Sequence, residues 1–291
     1  MFTDKQHEAN RESWNNAVVA HNSHKLDQDK FFREKGSTLY QEEKDLLGSL
    51  IGLKVCHLQC NAGQDTLSLV TKLGAENPVG VDISDTAIEF AQKLSRESGI
   101  PATFIRSDVF AYFETAEPEQ FDVVFVSYGA VNWLSSMKTW AQGIHKILKP
   151  GGRLCLVEFH PVAYMFDEHQ VQSYPYSSSG SPIVEDGVSD YVALSATTDG
   201  ELHPNLKYTE GIKDFCNTAP TYSFCWGLGD ILGALADTHL HMIHFKEYPY
   251  SNFYKFYSNM TPERVEEGTR WHPVGHNVPL MFSIAFKKHR K

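Results

Sequence analysis

The residues of this chain best spaced for chemistry are an acid ending one short apolar run and a glycine turn ending the run before it. The acid is Asp82 in Gly80-Val81-Asp82-Ile83-Ser84. The turn lies in Lys54-Val55-Cys56-His57-Leu58-Gln59-Cys60-Asn61-Ala62-Gly63-Gln64-Asp65-Thr66-Leu67, where a helical pattern begins directly after Gly63. In a doubly wound sheet, such a strand–turn–helix aims backbone N–H groups of a helix N-terminus at a ligand. An acid at the tip of the next strand then hydrogen-bonds a ribose. Recognition of an adenosine is the chemistry expected. A pyrophosphate loop would read G-x-G-x-x-G; here Gln59, Asn61 and Gly63 hold the equivalent positions, so a ligand without phosphate fits better. Gly63 itself is required if the loop needs positive φ or a close ligand approach.

Further polar residues fall at strand ends, where open parallel sheets bind ligands. Ser107-Asp108-Val109 follows the third apolar run, Ser127 and Tyr128 end the fourth, and His160, held before Pro161, ends the fifth. His160 is the leading candidate for a general base and Tyr128 the alternate. His239, His241 and His244 tempt a zinc reading. On a strand, however, the first two share a face and the third points away, so no metal site is expected. Tyr222, Phe224, Trp226, Tyr248, Tyr250, Phe253, Tyr254, Phe256, Tyr257 and Trp271 supply aromatic surface for an apolar acceptor pocket or for ordinary packing.

These residues need a scaffold, and the periodicity supplies one. Strands are expected at 53–58, 78–82, 102–106, 121–127 and 152–159. Helices are expected at 64–73, 85–98 and 135–148, the last closed by Lys149-Pro150-Gly151-Gly152. Alternating β and α elements predict a parallel sheet covered by helices on both faces. Leu39, Leu46, Leu47 and Leu50 share one helical face ended by Gly52, whereas residues 1–38 are polar and only weakly periodic. After His160 the alternation stops, and residues 161–220, with their Ser, Gly and Pro clusters, are too long for an ordinary connection and suggest a cap over the site. A helix near 227–237 and strands at 240–247 and 279–286 complete the pattern, with an irregular aromatic stretch between the two strands.

The 291 residues suit one large domain with insertions, and 42% hydrophobic with 21% charged residues is ordinary for a globular chain. With 36 acids against 26 Lys and Arg, a formal charge of −10 repels phosphate backbones, so nucleic acid is not an expected partner. No long apolar run or leader pattern suggests a membrane or export. The five cysteines lack C-x-x-C spacing and read as reduced thiols of a cytoplasmic protein.

The motifs together resemble the class I S-adenosylmethionine-dependent methyltransferases. Leu58-Gln59-Cys60, Gly63 and Asp65-Thr66-Leu67-Ser68-Leu69 are similar to the loop of a small-molecule subgroup. His57 stands where the common form has an acid. Ser107-Asp108-Val109, Phe121-Asp122-Val123-Val124-Phe125-Val126-Ser127 and Leu148-Lys149-Pro150-Gly151-Gly152-Arg153 resemble later family motifs in order.

The resemblance implies a Rossmann-like, doubly wound, seven-stranded mixed sheet with an antiparallel final strand. The chain is expected to divide into an N-terminal helical or lid segment, 1–52, and a methyltransferase domain, 53–291, carrying the cap insertion 161–220; residues 1–38 and the insert match none of the family's motifs. The implied cofactor is S-adenosylmethionine, with S-adenosylhomocysteine as product. It would be held by Gln59, Cys60, Asn61, Gly63, Gln64, Thr66, Asp82, Ile83, Ser107, Asp108, Val109 and Ser127. The acceptor would be a small, planar or aromatic molecule methylated at N or O, contacted by Tyr128, Asn132, His160, Tyr222 and Trp226. A monomer or homodimer is expected. A protein side chain or tRNA as acceptor, and a non-catalytic cofactor-binding role, are the competing readings.

Overall fold

The computed structural model describes residues 5–193, 203, 205–275 and 278–290. Helix α1 (Lys5–Ser23), strand β1 (Lys25–Leu26), α2 (Gln28–Arg33) and α3 (Gln41–Leu47) precede the alternating core. That core runs β2 (Val55–Leu58), α4 (Gln64–Leu73), β3 (Val79–Asp82), α5 (Asp85–Ser98), β4 (Thr103–Arg106), α6 (Val109–Thr115), β5 (Phe121–Val126), α7 (Met137–Ile147) and β6 (Leu148–Phe159). There follow α8 (Pro161–Tyr164), β7 (Ile183–Glu185), β8 (Lys207–Tyr208), β9 (Thr221–Ser223), α9 (Leu228–Ala236) and β10 (His241–Tyr248). Strands β11 (Ser251–Asn252), β12 (Thr261–Val265), β13 (Gly268–His272) and β14 (Met281–Lys287) end the chain.

Seven strands form one mixed sheet in the order β10-β14-β6-β5-β2-β3-β4, with β14 antiparallel to both neighbours, as expected. The central strands are buried on both faces, which explains their near-continuous apolar runs: all four residues of β2 are buried, and Phe121 and Val123–Val126 of β5. On one face α7 seats Trp140, Ile144 and Ile147, spaced at helical intervals and fully buried. Each contributes about 1.5–3 kcal/mol by removal from water. The α6–α7 contact is tight enough that a Cβ at Gly143 would lie 2.0 Å from the Phe113 ring, so Gly143→Ala would force the helices apart. On the other face Leu39, Leu47, Leu50 and Leu69 pack against Val123 and Phe125.

Helices expected at 64–73 and 85–98 have those bounds. Three departures have physical causes. Strand β6 begins at Leu148 rather than at Gly152, because Leu148 pairs with Phe121 and the Gly151 N–H donates to the Lys288 carbonyl at 2.9 Å. The short α6 was not anticipated; it exists because Asp108 caps it, accepting the Phe110 and Ala111 N–H groups at 2.7 and 3.0 Å. The stretch between β10 and β14 holds an antiparallel sheet, β11-β13-β12, whose two longer strands do not alternate: β12 is exposed over its first four residues and β13 is buried at both Gly268 and Thr269.

Helix α1 is continuous for 19 residues although its pattern is weak. Its buried residues include the polar His7, Asn10, Ser13 and His21, whose side chains bond backbone and side-chain groups of other segments. Asn10 exchanges hydrogen bonds with the Tyr222 backbone (2.7 and 2.8 Å), Ser13 Oγ accepts the Val188 N–H (2.9 Å), and β1 pairs with β8. Helix α1 and the described part of the 161–220 insert are thus one packed unit. Residues 194–202 and 204 of that insert lie outside the described residues. Among the described residues no helix is long and apolar enough to cross a membrane.

Candidate active site

The loop after β2 is shaped by three left-handed residues, Gln59 (φ 55°), Asn61 (φ 48°) and Gly63 (φ 81°). Asn61 tolerates this region, its Oδ1 accepting the Ala62 N–H at 2.6 Å. Gln59 is held by its Nε2 donating to the Ala130 carbonyl at 2.7 Å, while its Oε1 is buried without a partner. A Cβ at Gly63 would meet Ala91 and the Phe104 ring at 2.8 Å, so packing as well as φ demands glycine. The Asp82 carboxylate ties this loop to β3. One oxygen accepts the Asn61 N–H (2.8 Å) and the other the Ser84 N–H (2.9 Å), leaving lone pairs on both for a diol. Burial pushes its pKa up to about 6, against the pull of those N–H groups.

Beyond β4, Asp108 faces the same cavity. Its second oxygen accepts from His7 Nδ1 at 2.5 Å; the proton is assigned to Nδ1 because Nε2 accepts the Ser135 N–H at 3.1 Å. Burial raises the Asp108 pKa, but the His7 bond and the helix N–H groups outweigh it, leaving the carboxyl below its ordinary range. Toward β5, His57 is neutral, burial pushing it down to about 3. It lies within hydrogen-bond reach of Thr66 Oγ1 (2.8 Å) and Ser127 Oγ (3.3 Å). Asp65 accepts from Thr38 Oγ1 (2.6 Å) and Ser127 Oγ (3.4 Å), and burial raises its pKa. These groups enclose a cavity of about 270 Å³ that also takes in Lys25, Tyr40 and Glu43.

A second chamber of about 1000 Å³ adjoins it; Trp14, Tyr128, Gly129, Trp133, Tyr191 and Phe253 line both. Its walls include Phe159, Tyr164, Phe224, Trp226 and Tyr254. It carries Glu185 and Asp186 and, among the described residues, no Lys, Arg or His. The 129–131 turn dividing the two spaces hangs from Glu158, whose buried carboxylate accepts the N–H groups of Gly129 (2.5 Å), Ala130 (2.8 Å), Val131 (3.1 Å) and Phe159 (2.6 Å). Burial nonetheless lifts its pKa to about 7. Tyr128 is fixed by Asn252 Nδ2 donating to its hydroxyl (2.9 Å) and by that hydroxyl donating to Glu43 (3.3 Å). Burial and the nearby Glu43 and Glu42 push its pKa well above the phenol range, so it stays protonated.

Of the expected cofactor residues, Gln59, Cys60, Asn61, Gln64, Asp82, Ile83, Asp108, Val109 and Ser127 line the first cavity. Gly63, Thr66 and Ser107 support it from behind: Thr66 is fully buried against His57, and Ser107 Oγ donates to the Asp108 carbonyl at 2.9 Å. Tyr128, Asn132 and Trp226 line the second chamber, whereas Tyr222 does not; it meets α1 through its backbone.

His160 needs correction as the base. Its Nδ1 accepts the Val162 N–H at 3.1 Å, capping α8, and its Nε2 meets Glu247 Oε1 at 3.0 Å on β10, so it lines neither cavity. Its position before Pro161 is explained by the cap. Sequence reasoning missed His7, Lys25, Glu43 and Glu158. Of these only Glu158 offers a signal in the sequence, an acid inside an apolar strand.

The sheet order, the turned loop and the strand-end acids are those of the class I, Rossmann-like methyltransferase fold. A family model described as a methyltransferase domain matches residues 51–199, and the chain belongs to that family. It is 33% identical over 134 residues to "Probable thiol methyltransferase 2" of Arabidopsis thaliana (45% of this chain, 51% of that protein). It is 26% identical over 182 residues to the ubiquinone/menaquinone biosynthesis C-methyltransferase UbiE of Psychromonas ingrahamii (60% and 68%). The chain spans about half the length of several such curated relatives.

Among solved structures, an S-adenosylmethionine-dependent methyltransferase from Clostridium acetobutylicum superposes with a TM-score of 0.54 at 15% identity, over 90% of this chain and 96% of that one. The [4+2]-cyclase SpnF does so at 0.52 and 12% identity, over 97% and 94%. Those likenesses are of fold alone, and the reaction has to be argued from the site.

The cofactor fits the residues present. Asp82 has free lone pairs for ribose hydroxyls, Gln59 Oε1 is a buried acceptor lacking a donor, and Lys25 brings a cation to a cavity otherwise rich in carboxylates.

Proposed function

We propose that this chain transfers a methyl group from S-adenosylmethionine to the nitrogen or oxygen of a small, planar or aromatic acceptor that carries no negative charge. The observation that carries this reading is the pair of cavities meeting at Tyr128 and Gly129, one lined by the strand-end acids Asp82 and Asp108, the other by aromatic rings. Relatives named for thiol and quinone methylation act, by their names, on small molecules, which supports the acceptor class. When bound, the cofactor supplies a methyl group on a positively charged sulfur, a good leaving group. The protein's task is then alignment.

Asp82 and Asp108 hold the nucleoside across the strand tips. Tyr128, locked by Asn252 and Glu43, and the Glu158-hung turn set the wall between donor and acceptor. Aromatic faces grip a planar or cationic ring, and Glu185 and Asp186 repel carboxylates and phosphates. No His or Lys lines the described chamber, so a weakly basic amine, neutral and with its lone pair free, needs no base there, whereas a neutral hydroxyl would need a carboxylate such as Glu185 or Asp186 to take its proton. The described residues of the segment before β2 and of the insert cover both cavities together, Trp14 of α1 reaching each.

Incubation with methyl-labelled S-adenosylmethionine and matched planar acceptors tests this reading. Label should pass to uncharged amine or hydroxyl groups, whether the ring that carries them is neutral or cationic. Transfer confined to carboxylated or phosphorylated analogues, or to protein or tRNA, would overturn the acceptor assignment.

A further inference from the structure

The strand tips give the cofactor cavity a direction. Asp108 follows β4, Asp82 ends β3, Gln59 follows β2 and Ser127 follows β5, and the sheet order places these in a row. If adenine lies toward Asp108 and ribose at Asp82, the amino-acid tail points to the β2–β5 end, beside Asp65.

Lys25 is at that end, close enough to Asp65 to feel its charge, and it is the one Lys or Arg among the described residues lining the cavity. Its side chain makes no hydrogen bond or ion pair with a described residue, whereas each cavity carboxylate is already partnered. Asp65 holds Thr38 and Ser127; Asp82 holds two loop N–H groups; Asp108 holds His7; Glu43 holds the Tyr40 N–H at 2.6 Å; nearby Asp190 holds His24 at 2.8 Å. An enclosed ammonium that no described carboxylate touches is only partly compensated by the charges of Asp65 and Asp190, and an anionic ligand group would relieve it.

We propose that Lys25 holds the carboxylate of the cofactor's amino-acid tail, while Asp65 and the unpartnered Gln59 Oε1 receive its ammonium. The proposal rests on the reading of this cavity as the cofactor site. Because Lys25 is in β1, whose backbone pairs with β8 of the insert, the same contact ties the cofactor to the lid.

Burial draws the Lys25 pKa down to about 8, Asp65 and Asp190 opposing it. Buried His21, which also faces Lys25, is pushed by burial to about 4 and stays neutral. Near neutral pH Lys25 is therefore cationic, and it loses its proton as pH rises past about 8. Affinity for a carboxylate-bearing ligand should fall there, while affinity for a ligand without the carboxylate should not.

Calorimetry with S-adenosylhomocysteine and with its decarboxylated analogue, on the whole chain, separates the possibilities. Lys25→Met should weaken S-adenosylhomocysteine about 10- to 100-fold, as expected for one lost charge-assisted contact. It should change the analogue by less than about 3-fold on the same reasoning, and Lys25→Arg should recover most of the loss. Retained analogue binding also shows that the variant folds. Equal loss for both ligands would make Lys25 structural and overturn the proposal, as would no loss for either. A wild-type protein that binds the analogue as tightly as S-adenosylhomocysteine would refute the Lys25 role alone. A wild-type protein that binds neither would defeat the cofactor-site reading as well.

Discussion

Replacing Asp82 by Asn should separate binding from stability. The Asp82 carboxylate is enclosed, and burial lifts its pKa from 3.8 to about 6. A shift of roughly 2 units corresponds to about 3 kcal/mol disfavouring the ionised form in the fold. Because the folded pKa lies above the unfolded one, this penalty is absent below pH ~4, grows as pH climbs to ~6, and is constant beyond. At pH 7 the amide removes it. In exchange, Asn can accept only one of the two N–H bonds from Asn61 and Ser84, and turning its NH₂ on the other costs about 1–3 kcal/mol. The two effects nearly cancel, so the melting temperature should move by no more than a few degrees.

Binding has no such compensation. A ribose diol meeting a carboxylate gains two charge-assisted hydrogen bonds, and the amide loses the charge from both and the acceptor from one. A loss of about 2–4 kcal/mol, roughly 30- to 1000-fold in Kd, follows. Asp82→Ala should lose as much affinity and also destabilise, because two loop N–H groups lose their acceptor. Calorimetric titration with S-adenosylhomocysteine, paired with thermal unfolding, reads both quantities. Unchanged affinity in Asp82→Asn, or affinity and stability falling together, would refute the reasoning.

Affinity for S-adenosylhomocysteine should rise from pH 5 to about 7 as Asp82 ionises, then fall above about 8 as Lys25 loses its proton, a profile calorimetry across pH can read. Glu158→Gln leaves at least two of four buried N–H groups short of an acceptor, at about 2–4 kcal/mol. It also removes a buried carboxylate whose pKa is lifted to about 7, so stability at pH 7 should change by no more than about 1–2 kcal/mol. Turnover should fall as the 129–131 turn loosens, as denaturant unfolding and initial rates together would show. His160→Ala should cost about 1 kcal/mol of stability through the lost α8 cap and leave turnover within about 3-fold of wild type. A fall of 100-fold or more in turnover with unchanged stability would restore His160 as a base.

What was legible in the sequence is what local rules determine. The β2–α4 turn, Asp82, and helices α4 and α5 show strong periodicity, a capping residue or a glycine at their ends, and they were placed to within a residue or two. Asp108 was legible as a strand-end acid, but its partner His7 was not: the two are brought together only when α1 folds across the strand tips. Helix α1 hides its role because its buried face is polar, built to satisfy backbone groups of the insert. Lys25 was invisible for a related reason, since a lysine in a polar segment reads as solvated until β1 pairs with β8. His160 misled because a strand-end histidine before proline fits a base and a helix cap equally well, and only the direction of its ring decides.

A crystal structure with S-adenosylhomocysteine bound tests the central claim most directly. The ribose hydroxyls should lie within hydrogen-bond distance of both Asp82 oxygens, the adenine toward Asp108, and the sulfur at the Tyr128–Gly129 opening to the aromatic chamber. An adenosine bound elsewhere, or a sulfur facing away from that opening, would contradict it.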